Sequence, residues 1–252
     1  MKISIITIVY NNADFIEECI QSVLNQDFEN IEYIVIDGGS TDGTRQIIEK
    51  YYDKIAFYIS EKDNGLYSAL NKGITHSTGD IIGILHSDDV FFEKNTLSEI
   101  ARTFEKTNAD LVYANGQYVD EQDINKVKRI YPAKVFKKYY LKFGWIPLHT
   151  TIYVKRKIFE KYRLYDENYS IASDYDISLR WFFTDEIKKV FLDKWVVKMR
   201  LGGKSTSMNL QKRKSAEDLK IIKKYKLWGR FTLFFKIVRK IPQYTLPKIK
   251  RY

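Results

Sequence analysis

The sequence predicts an α/β protein: a mainly parallel central sheet flanked by helices, with a small antiparallel part and a basic helical C-terminal tail. Three observations support this. Over the first 90 residues, short apolar runs alternate with segments in which apolar residues recur at helical spacing. Each apolar run ends in a cluster of polar residues. The chain of 252 residues is 44% hydrophobic and 15% aromatic, which is enough to bury one substantial core.

The alternation of strand and helix is clearest before residue 90. We predict strands at residues 3–9, 33–36, 55–59 and 81–85, and helices at residues 15–24, 45–52 and 66–74. Asn12 or Asp14 is expected to cap the first helix, and Cys19 lies on its apolar face as a small core residue. Strands that alternate with helices imply right-handed crossovers and a parallel sheet covered on both faces.

Polar residues follow each of these four strands. Asn11, Asp37, Asp63 and the Asp88-Asp89 pair stand at the strand ends. The carboxyl ends of parallel strands meet at one edge of the sheet, where open α/β sheets bind their ligands. Adjacent carboxylates there suit a hard divalent cation, although an Asp-Asp step is also ordinary chemistry for a turn or a helix N-cap. Our hypothesis is that Asp88 and Asp89 hold a metal-bound nucleotide sugar.

The second half of the chain mixes shorter elements. We predict a helix at residues 95–104, antiparallel strands at 110–113 and 116–119, and further strands at 146–154 and 190–201. Residues 134–145 mix lysines with aromatics without a clear period, which predicts either a mobile loop over the site or a surface helix. Residues 202–207 form a Gly- and Ser-rich loop that can close over phosphates, but they lack the first glycine of a Walker P-loop.

Two side chains in this half are candidates for chemistry. Asp174 opens a helical run, where the helix dipole favours its ionised form. It can act as a cap or as the general base for an incoming hydroxyl. His149 stands near the start of a predicted strand, where it is either a structural residue or a contact to the acceptor.

These residues, taken in order, resemble the inverting glycosyltransferases of family 2, which have the GT-A fold. The resemblance runs from Ser4 to about Ser207 and is strongest for the bacterial enzymes that build O-antigen, capsule or colanic-acid repeat units. The matching pieces are Ser4-Ile5-Ile6-Thr7, Tyr10-Asn11, the stretch from Asp37 to Thr44, the stretch from Glu61 to Tyr67, Asn71-Lys72-Gly73-Ile74, Gly79-Asp80, Ser87-Asp88-Asp89, His149 and the stretch from Ala172 to Asp176.

The resemblance implies a role for each matching residue. Donor contacts are implied for Thr7, Val9, Tyr10, Asn11, Asp37, Gly39, Asp63, Asn64, Gly65, Asn71, Lys72, Ser87 and Asp88. Asp89 is implied as the metal ligand, with Asp88 nearer the ribose or sugar, and Asp174 as the catalytic base. The acceptor or diphosphate side is implied for His149, Asp176, Arg180, Lys204 and Ser205. The resemblance also implies a divalent cation, Mn²⁺ or Mg²⁺, as the cofactor and a UDP- or GDP-linked sugar as the donor.

One position departs from the family pattern. Many members carry two aspartates where this chain has Asp37-Gly38. The second carboxylate often contacts the base, so its absence leaves the identity of the nucleotide open.

The net charge of +10 is concentrated at the C-terminus. From residue 211 onward, fourteen Lys or Arg stand against two acids, while the preceding chain has 28 basic and 30 acidic residues. A near-neutral body argues against a nucleic-acid groove across the main domain. The tail interleaves basic residues with Leu227, Trp228, Phe231, Phe234, Phe235 and Val238, too often charged to span a membrane. It is expected either to lie on an anionic membrane surface or to pack on the catalytic domain.

This charge division predicts two parts. A catalytic domain covers residues 1–207, with a nucleotide-sugar half at 1–110 and an acceptor half at 111–207, and the tail covers 208–252. A single cysteine and no signal peptide at the N-terminus predict a cytoplasmic protein, peripheral on the inner face of the plasma membrane. The expected acceptor is a polyprenyl-diphosphate-linked saccharide, and the oligomeric state stays open.

Three other classes fit less well. A nucleotidyltransferase would need a Gly-rich triphosphate cradle with basic residues in its first loop. An NAD-dependent oxidoreductase would need Gly-x-Gly-x-x-Gly where this chain has Tyr10-Asn11-Asn12. A basic membrane- or nucleic-acid-binding protein without catalysis would leave the ordered acidic loops unexplained.

Overall fold

The computed structural model describes residues 1–202 and 208–249, and strands alternate with helices along its first third. The strands are β1 Ile3–Val9, β2 Ile31–Asp37, β3 Phe57–Ser60, β4 Ile81–Ile84, β5 Val90–Phe91, β6 Leu111–Val119, β7 Val127–Tyr131, β8 Ile152–Lys155 and β9 Lys189–Arg200. The α-helices are α1 Ile16–Leu24, α2 Thr44–Glu49, α3 Leu66–His76, α4 Thr96–Thr107, α5 Arg156–Tyr162, α6 Ser173–Phe183, α7 Met208–Lys224, α8 Arg230–Val238 and α9 Lys240–Ile249. Short 3-10 helices lie at Tyr52–Lys54, Lys138–Phe143 and His149–Thr151.

The strands of the described chain join in one mixed sheet. Its order is β3-β2-β1-β4-β8-β6-β9-β5, with β7 paired to β6. The first four strands run parallel, which confirms the predicted parallel half. Val9, Asp37 and Ser60 lie in register across β1, β2 and β3, so the ends of these strands form one continuous edge. Antiparallel pairing begins where β8 joins β4.

Apolar side chains cover both faces of the sheet. Successive residues of a strand point to opposite faces, and Ile5 and Ile6 accordingly enter different core clusters. On α1, the buried residues Ile16, Cys19 and Ile20 recur at helical spacing and pack on one face. The prediction that Cys19 is a core residue is therefore confirmed, and its thiol is free.

Two local predictions were wrong. Residues 111–119 form one strand, β6, where two paired strands were expected. Residues 114 and 115 would have separated the two strands, but the side-chain amide of Asn115 is satisfied by Ala133 N at 2.7 Å and by Asp193 Oδ1 of β9 at 3.1 Å, and the strand continues. His149 begins a 3-10 helix before β8 rather than the strand itself.

The first helix also starts differently from the prediction. Neither Asn12 nor Asp14 caps α1 with its side chain. The Asn12 carbonyl accepts the Ile16 N–H at 3.1 Å, while its amide donates to Ser87 Oγ at 2.8 Å. Asn12 therefore connects the loop after β1 to the loop after β4. The sequence pattern of the first helix does not reveal this contact.

The C-terminal helices pack against the rest of the chain. Ile221 and Ile222 of α7 are fully buried in a core cluster. The Lys138–Phe143 helix lies under α8, because the Phe143 ring is 5.1 Å from the ring of Phe235. Phe231 stays 71% exposed on the outer face of α8. In the described residues, no helix is both long and apolar enough to cross a membrane.

Candidate functional site

Hydrogen bonds between loops shape the polar edge at β1 and β2. Asp37 is fully buried, and its carboxylate accepts bonds from Ser40 N, Ser40 Oγ and Ser60 Oγ. Asn11 has a left-handed backbone, with φ of 49°, and its side-chain oxygen accepts Thr41 N–H at 2.9 Å. These bonds hold the two loops at fixed positions relative to each other, which is what a preorganised ligand site requires.

An open corner of this edge brings together an aromatic ring and a carboxylate. A Cβ built on Gly38 would lie 3.4 Å from the Tyr10 ring and 3.5 Å from Asp63 Oδ2. Tyr10 is 52% exposed, so its ring is available to a ligand. Lys72 pairs with Asp63 at 2.7 Å and with Glu61 at 2.6 Å. Gly38 has no side chain, so the charges beside Tyr10 are those of Asp63, Glu61 and Lys72.

Several other residues were predicted to contact the donor sugar nucleotide. Thr7 and Val9 are buried within β1, and the Thr7 hydroxyl accepts a bond from Tyr33. Gly39 and Gly65 have φ of 81° and 120°, and exposed Asn64 precedes Gly65 at the start of α3. The Asn71 amide is fully engaged with the Tyr165 backbone and Glu167, so its observed contacts are structural. Buried Ser87 accepts the Asn12 amide.

The Asp88-Asp89 pair follows β4 in a tight turn, in which Asp89 N donates to the His86 carbonyl at 3.0 Å. Asp89 Oδ1 accepts the Arg200 N–H at 3.2 Å, whereas Oδ2 is buried and has no hydrogen-bond partner in the described chain. Burial, and after it the charge of Asp88, raises the pKa of Asp89 well above its usual range. A buried carboxylate oxygen without a partner is costly, and a cation would satisfy it.

The donor set therefore fits a divalent cation that is only partly held by protein. Asp88 is half-buried beside Asp89 and adds a second carboxylate. Within the described ranges, no group of three or more His, Cys, Asp or Glu side chains is arranged to hold a metal ion. Mg²⁺ and similar hard cations are often bound by one or two carboxylates, with phosphate oxygens and water completing the shell.

The predicted base Asp174 lies in the first turn of α6 with two partners. Tyr67 OH donates to Asp174 Oδ1 at 3.2 Å and accepts the Asp174 backbone N–H at 3.4 Å. His149 Nδ1 is 3.7 Å from Asp174 Oδ2. The carboxylate is thus held between a tyrosine of α3 and a histidine of the 3-10 helix, and 24% of its side-chain surface remains exposed.

A second histidine extends this group toward the acidic pair. The Nε2 atoms of His86 and His149 are 2.8 Å apart. Burial lowers the pKa of His149 to about 4 and also lowers the pKa of His86, so both rings are neutral at pH 7. Because Asp174 is an anion, we assign the proton of His149 to Nδ1, with His86 Nε2 donating to His149 Nε2. The charges of both Asp88 and Asp174 act on His86 and oppose the effect of burial on its pKa.

Nearby lysines determine the ionisation of Asp174. Burial acts to raise the pKa of Asp174, but the positive charges of Lys214 and Lys236, together with His149, outweigh it, and the pKa falls below its ordinary value. Asp174 is therefore ionised at neutral pH, as a general base must be.

A carboxylate from the C-terminal helices holds the segment before Asp174. Glu217 of α7 accepts bonds from Ser170 N, Ser170 Oγ, Ile171 N and Ala172 N, at 2.7–3.2 Å. Ala172 immediately precedes α6, so Glu217 supplies an acceptor at this helix N-terminus from 45 residues further along the chain.

Removing the charge of Glu217 tests this arrangement. Glu217→Gln is expected to lower the free energy of unfolding by about 1–3 kcal/mol, because three backbone N–H groups lose charge-assisted bonds. Turnover should fall while donor affinity stays constant, since the loosened segment carries Asp174. Urea unfolding, kcat and donor Kd check this, with the exposed Glu160→Gln as the control. Equal behaviour of the two variants would contradict the positional role.

The remaining predicted residues of the acceptor side have structural contacts. Asp176 is fully buried between Arg180 at 2.8 Å and Lys224 at 2.7 Å. Arg180 also donates to the carbonyls of residues 162–164, so it ties α6 to the preceding segment. Lys204 and Ser205 lie outside the described residues.

Sequence reasoning missed three members of this site. His86 stood two residues before Asp88 in the strand-end stretch, and Tyr67 followed the Asp63 loop, so both had a positional signal. Glu217 had none, because it lies in a lysine-rich helix with no motif around it.

The fold and this polar edge together are those of the GT-A class of glycosyltransferases. The chain belongs to Glycosyl transferase family 2, whose pattern residues 4–164 match. An uncharacterized glycosyltransferase of Rickettsia prowazekii is 31% identical over 225 residues, which cover 86% of this chain and 70% of that relative. A second, from Rickettsia typhi, is 32% identical over 197 residues, which cover 76% of this chain and 61% of that relative.

Solved structures agree in fold. TarS 1–349 of S. aureus in complex with UDP-GlcNAc superposes with a TM-score of 0.67 at 19% identity, over 88% of this chain and 66% of that one. The mannosyltransferase PcManGT of Pyrobaculum calidifontis, in complex with GDP-Man and Mn²⁺, gives a TM-score of 0.65 at 16% identity, over 94% and 73%. The predicted GT-A fold is confirmed.

Proposed function

We propose that this glycosyltransferase inverts the anomeric centre as it moves a sugar from a nucleoside-diphosphate sugar to a hydroxyl of a lipid-linked saccharide, in bacterial surface polysaccharide synthesis. The observation that carries the proposal is the fixed position of Asp174 between Tyr67 and His149, with His86 linking it to the acidic pair. A single ionised carboxylate beside a donor site is the minimum that an inverting transfer requires.

In the proposed reaction, Asp174 takes the proton of the acceptor hydroxyl as its oxygen attacks C1 of the donor sugar. The new C1–O bond forms on the face opposite the leaving diphosphate, whose own bond to C1 breaks with the electron pair going to the diphosphate. Tyr67 and His149 keep the Asp174 oxygens oriented toward the acceptor side. A divalent cation held by Asp89 and Asp88 would offset the charge of the leaving group.

The corner formed by Tyr10, Gly38 and Asp63 is the proposed seat of the base and ribose. The exposed ring of Tyr10 offers a stacking surface, and Asp63 and Lys72 offer polar contacts. TarS with UDP-GlcNAc and PcManGT with GDP-Man support a UDP- or GDP-linked donor.

A thermal-shift screen of UDP- and GDP-sugars with Mn²⁺ or Mg²⁺ tests the function directly. A donor at 100 times its Kd should stabilise the folded chain by about 2.7 kcal/mol. Absence of any metal-dependent shift with either nucleotide would overturn the proposal and favour a non-catalytic binding protein.

We also infer that α8 docks on the cytoplasmic face of an anionic membrane. Phe231, Phe234 and Ile237 expose 71%, 58% and 51% of their surface on one helix, which begins at the exposed Arg230. Aromatic side chains beside basic residues suit the interface of anionic lipids.

Serine at Phe231, Phe234 and Ile237 should reduce co-sedimentation with phosphatidylglycerol vesicles by at least about tenfold, because the apolar surface available for insertion is lost. Point variants are preferred to a truncation after Met208, which would remove Glu217 and the buried Ile221. Tyr52→Ser, at a residue that is 64% exposed, is the control. Unchanged co-sedimentation of the triple variant would refute the anchor.

A further inference from the structure

Positive charge accumulates where α7, α8 and α9 meet β7. We call this group the basic cluster; its members are Arg129, Lys214, Lys236, Arg239 and Lys240. Arg129 comes from β7, Lys214, Lys236 and Lys240 come from the C-terminal helices, and Arg239 lies between α8 and α9, so the cluster is assembled by folding.

The two arginines of the basic cluster share one aromatic ring. The guanidinium carbons of Arg129 and Arg239 lie 5.3 and 5.8 Å from the ring centroid of Tyr131. Arg239 Nη2 also donates to Tyr131 OH at 3.1 Å, and Arg129 donates to Gln243 Oε1. These contacts fix both planar groups without neutralising either charge.

Several hydrogen-bond donors at this place lack acceptors. Arg239 Nε and Nη1 are buried, and neither has a hydrogen-bond partner in the part of the chain that is described. Tyr175 is only 3% exposed, and its hydroxyl also has no hydrogen-bond partner in the described residues. The charge of Arg239 also acts on Tyr175 and lowers its pKa, although burial, the larger effect, raises it. Unpaired buried donors are costly, and an anion would supply the missing acceptors.

The acids of α7 do not balance the cluster. Asp218 pairs with Lys236 at 2.7 Å, and Glu217 is engaged by the segment before α6. Burial, and then the charge of Lys214, lowers the pKa of Lys240. Burial also lowers the pKa of Lys236 to about 8, although Asp218 opposes the change. Because these cations repel one another, binding of an anion among them would be favourable.

The cluster adjoins the predicted base. Lys214 acts electrostatically on both Asp174 and His149, and the Lys236 ammonium lies 3.3 Å from the ring centroid of Tyr175, the residue after Asp174. The donor diphosphate belongs beside Asp88 and Asp89, at the end of β4. An anion at the basic cluster would therefore belong to the second substrate.

We propose that the basic cluster binds the diphosphate of the acceptor, through Arg239, Lys214 and Lys240, and so presents the attached sugar to Asp174. The exposed aromatic side of α8 then lies next to the apolar chain that such an acceptor carries. This inference rests on the proposed function, because it assigns the acceptor of the same reaction.

The test measures binding of farnesyl diphosphate, inorganic pyrophosphate and farnesol to the full chain by calorimetry, with EDTA present to weaken diphosphate binding at the metal-dependent donor site. We expect both diphosphates to bind. Arg239→Gln/Lys240→Gln and, separately, Lys214→Gln should weaken both by at least about tenfold, since each loses charge-assisted bonds. Lys220→Gln/Lys223→Gln, at exposed positions on α7, is the matched control and should bind like the wild type.

Equal binding by the cluster variants and the control would overturn the proposal. If farnesol binds as tightly as farnesyl diphosphate, the contact is only apolar and the proposal is also overturned. If phosphatidylglycerol vesicles bind but neither diphosphate does, the cluster is a surface for lipid headgroups and the proposal is overturned as well. Donor binding with Mn²⁺ is measured on the same variants. If the wild type binds no nucleotide, the proposed function fails; if nucleotides bind and the diphosphates are insensitive to the variants, only this inference fails.

Discussion

Asp174→Asn is expected to lower turnover by about 10²–10⁴-fold, the usual contribution of a positioned general base. The amide keeps the shape of the carboxylate and can still accept the Tyr67 hydroxyl, but it cannot take a proton. Donor affinity should be unchanged, because the donor contacts lie at the strand ends. Release of nucleoside diphosphate measures turnover, and calorimetry measures donor Kd.

Asp185→Asn is the matched control, because this acid lies just beyond the other end of α6 and its side chain is 79% exposed. It should leave turnover unchanged. Near-normal turnover of Asp174→Asn would remove Asp174 from the mechanism, whereas loss of donor binding would mean that the carboxylate belongs to the donor site.

The pH dependence follows from the same carboxylate. Burial opposes ionisation of Asp174, but Lys214 and Lys236 prevail and its pKa lies below the ordinary value. The rate should therefore not fall through this group until the pH drops below the usual carboxylate range. By linkage, the stability that this depressed pKa contributes is present above the unfolded pKa and is lost as pH falls through the folded one. Lys214→Gln should move the acid limb of the rate to higher pH.

The parallel half of the fold could be predicted because its signals are local. Each apolar run, polar strand end and helix lies within about thirty residues of the next, so the sequence alone assigns the strand-end acids to one edge of the sheet. The strand β6 could not be assigned correctly, because what stabilises Asn115 is supplied by Ala133 and Asp193. Local propensity favours a turn at these residues, whereas the hydrogen-bond partners that keep them in a strand lie far away in the sequence.

For the site, too, some residues could be predicted from the sequence and others could not. Asp88, Asp89 and Asp174 stand at element ends that a pattern indicates, whereas the residues that orient Asp174 come from three separate elements. Tyr67 of α3 and His149 of the 3-10 helix contact Asp174, and Glu217 of α7 holds the segment before it. The C-terminal helices therefore contact the surroundings of Asp174: Lys236 of α8 pairs with Asp218 and lies over the ring of Tyr175, the residue after Asp174.

Asp89→Asn is expected to abolish the metal-dependent part of donor binding without unfolding the protein. In the wild type, Mn²⁺ with a donor at 100 times its Kd should stabilise the fold by about 2.7 kcal/mol, or about 5–10 °C in Tm. The variant should show little of this shift. Its Asn oxygen can still accept the Arg200 N–H, so the one observed contact of the Asp89 side chain is retained.

The metal-free stability of Asp89→Asn distinguishes a ligand from a structural acid. Asp89 is 1% exposed, Oδ2 has no partner in the described chain, and burial already disfavours the charged form of this acid. Its replacement by a neutral amide should therefore leave Tm without metal equal to or above that of the wild type. Asp80→Ala is the counterpart at the opposite end of β4, because it removes the carboxylate oxygen that accepts Lys2 N–H at 2.8 Å. That variant should lose stability but keep the metal-dependent shift. A destabilised Asp89→Asn that retains the shift would show that Asp89 only shapes the turn, and that the cation is held elsewhere.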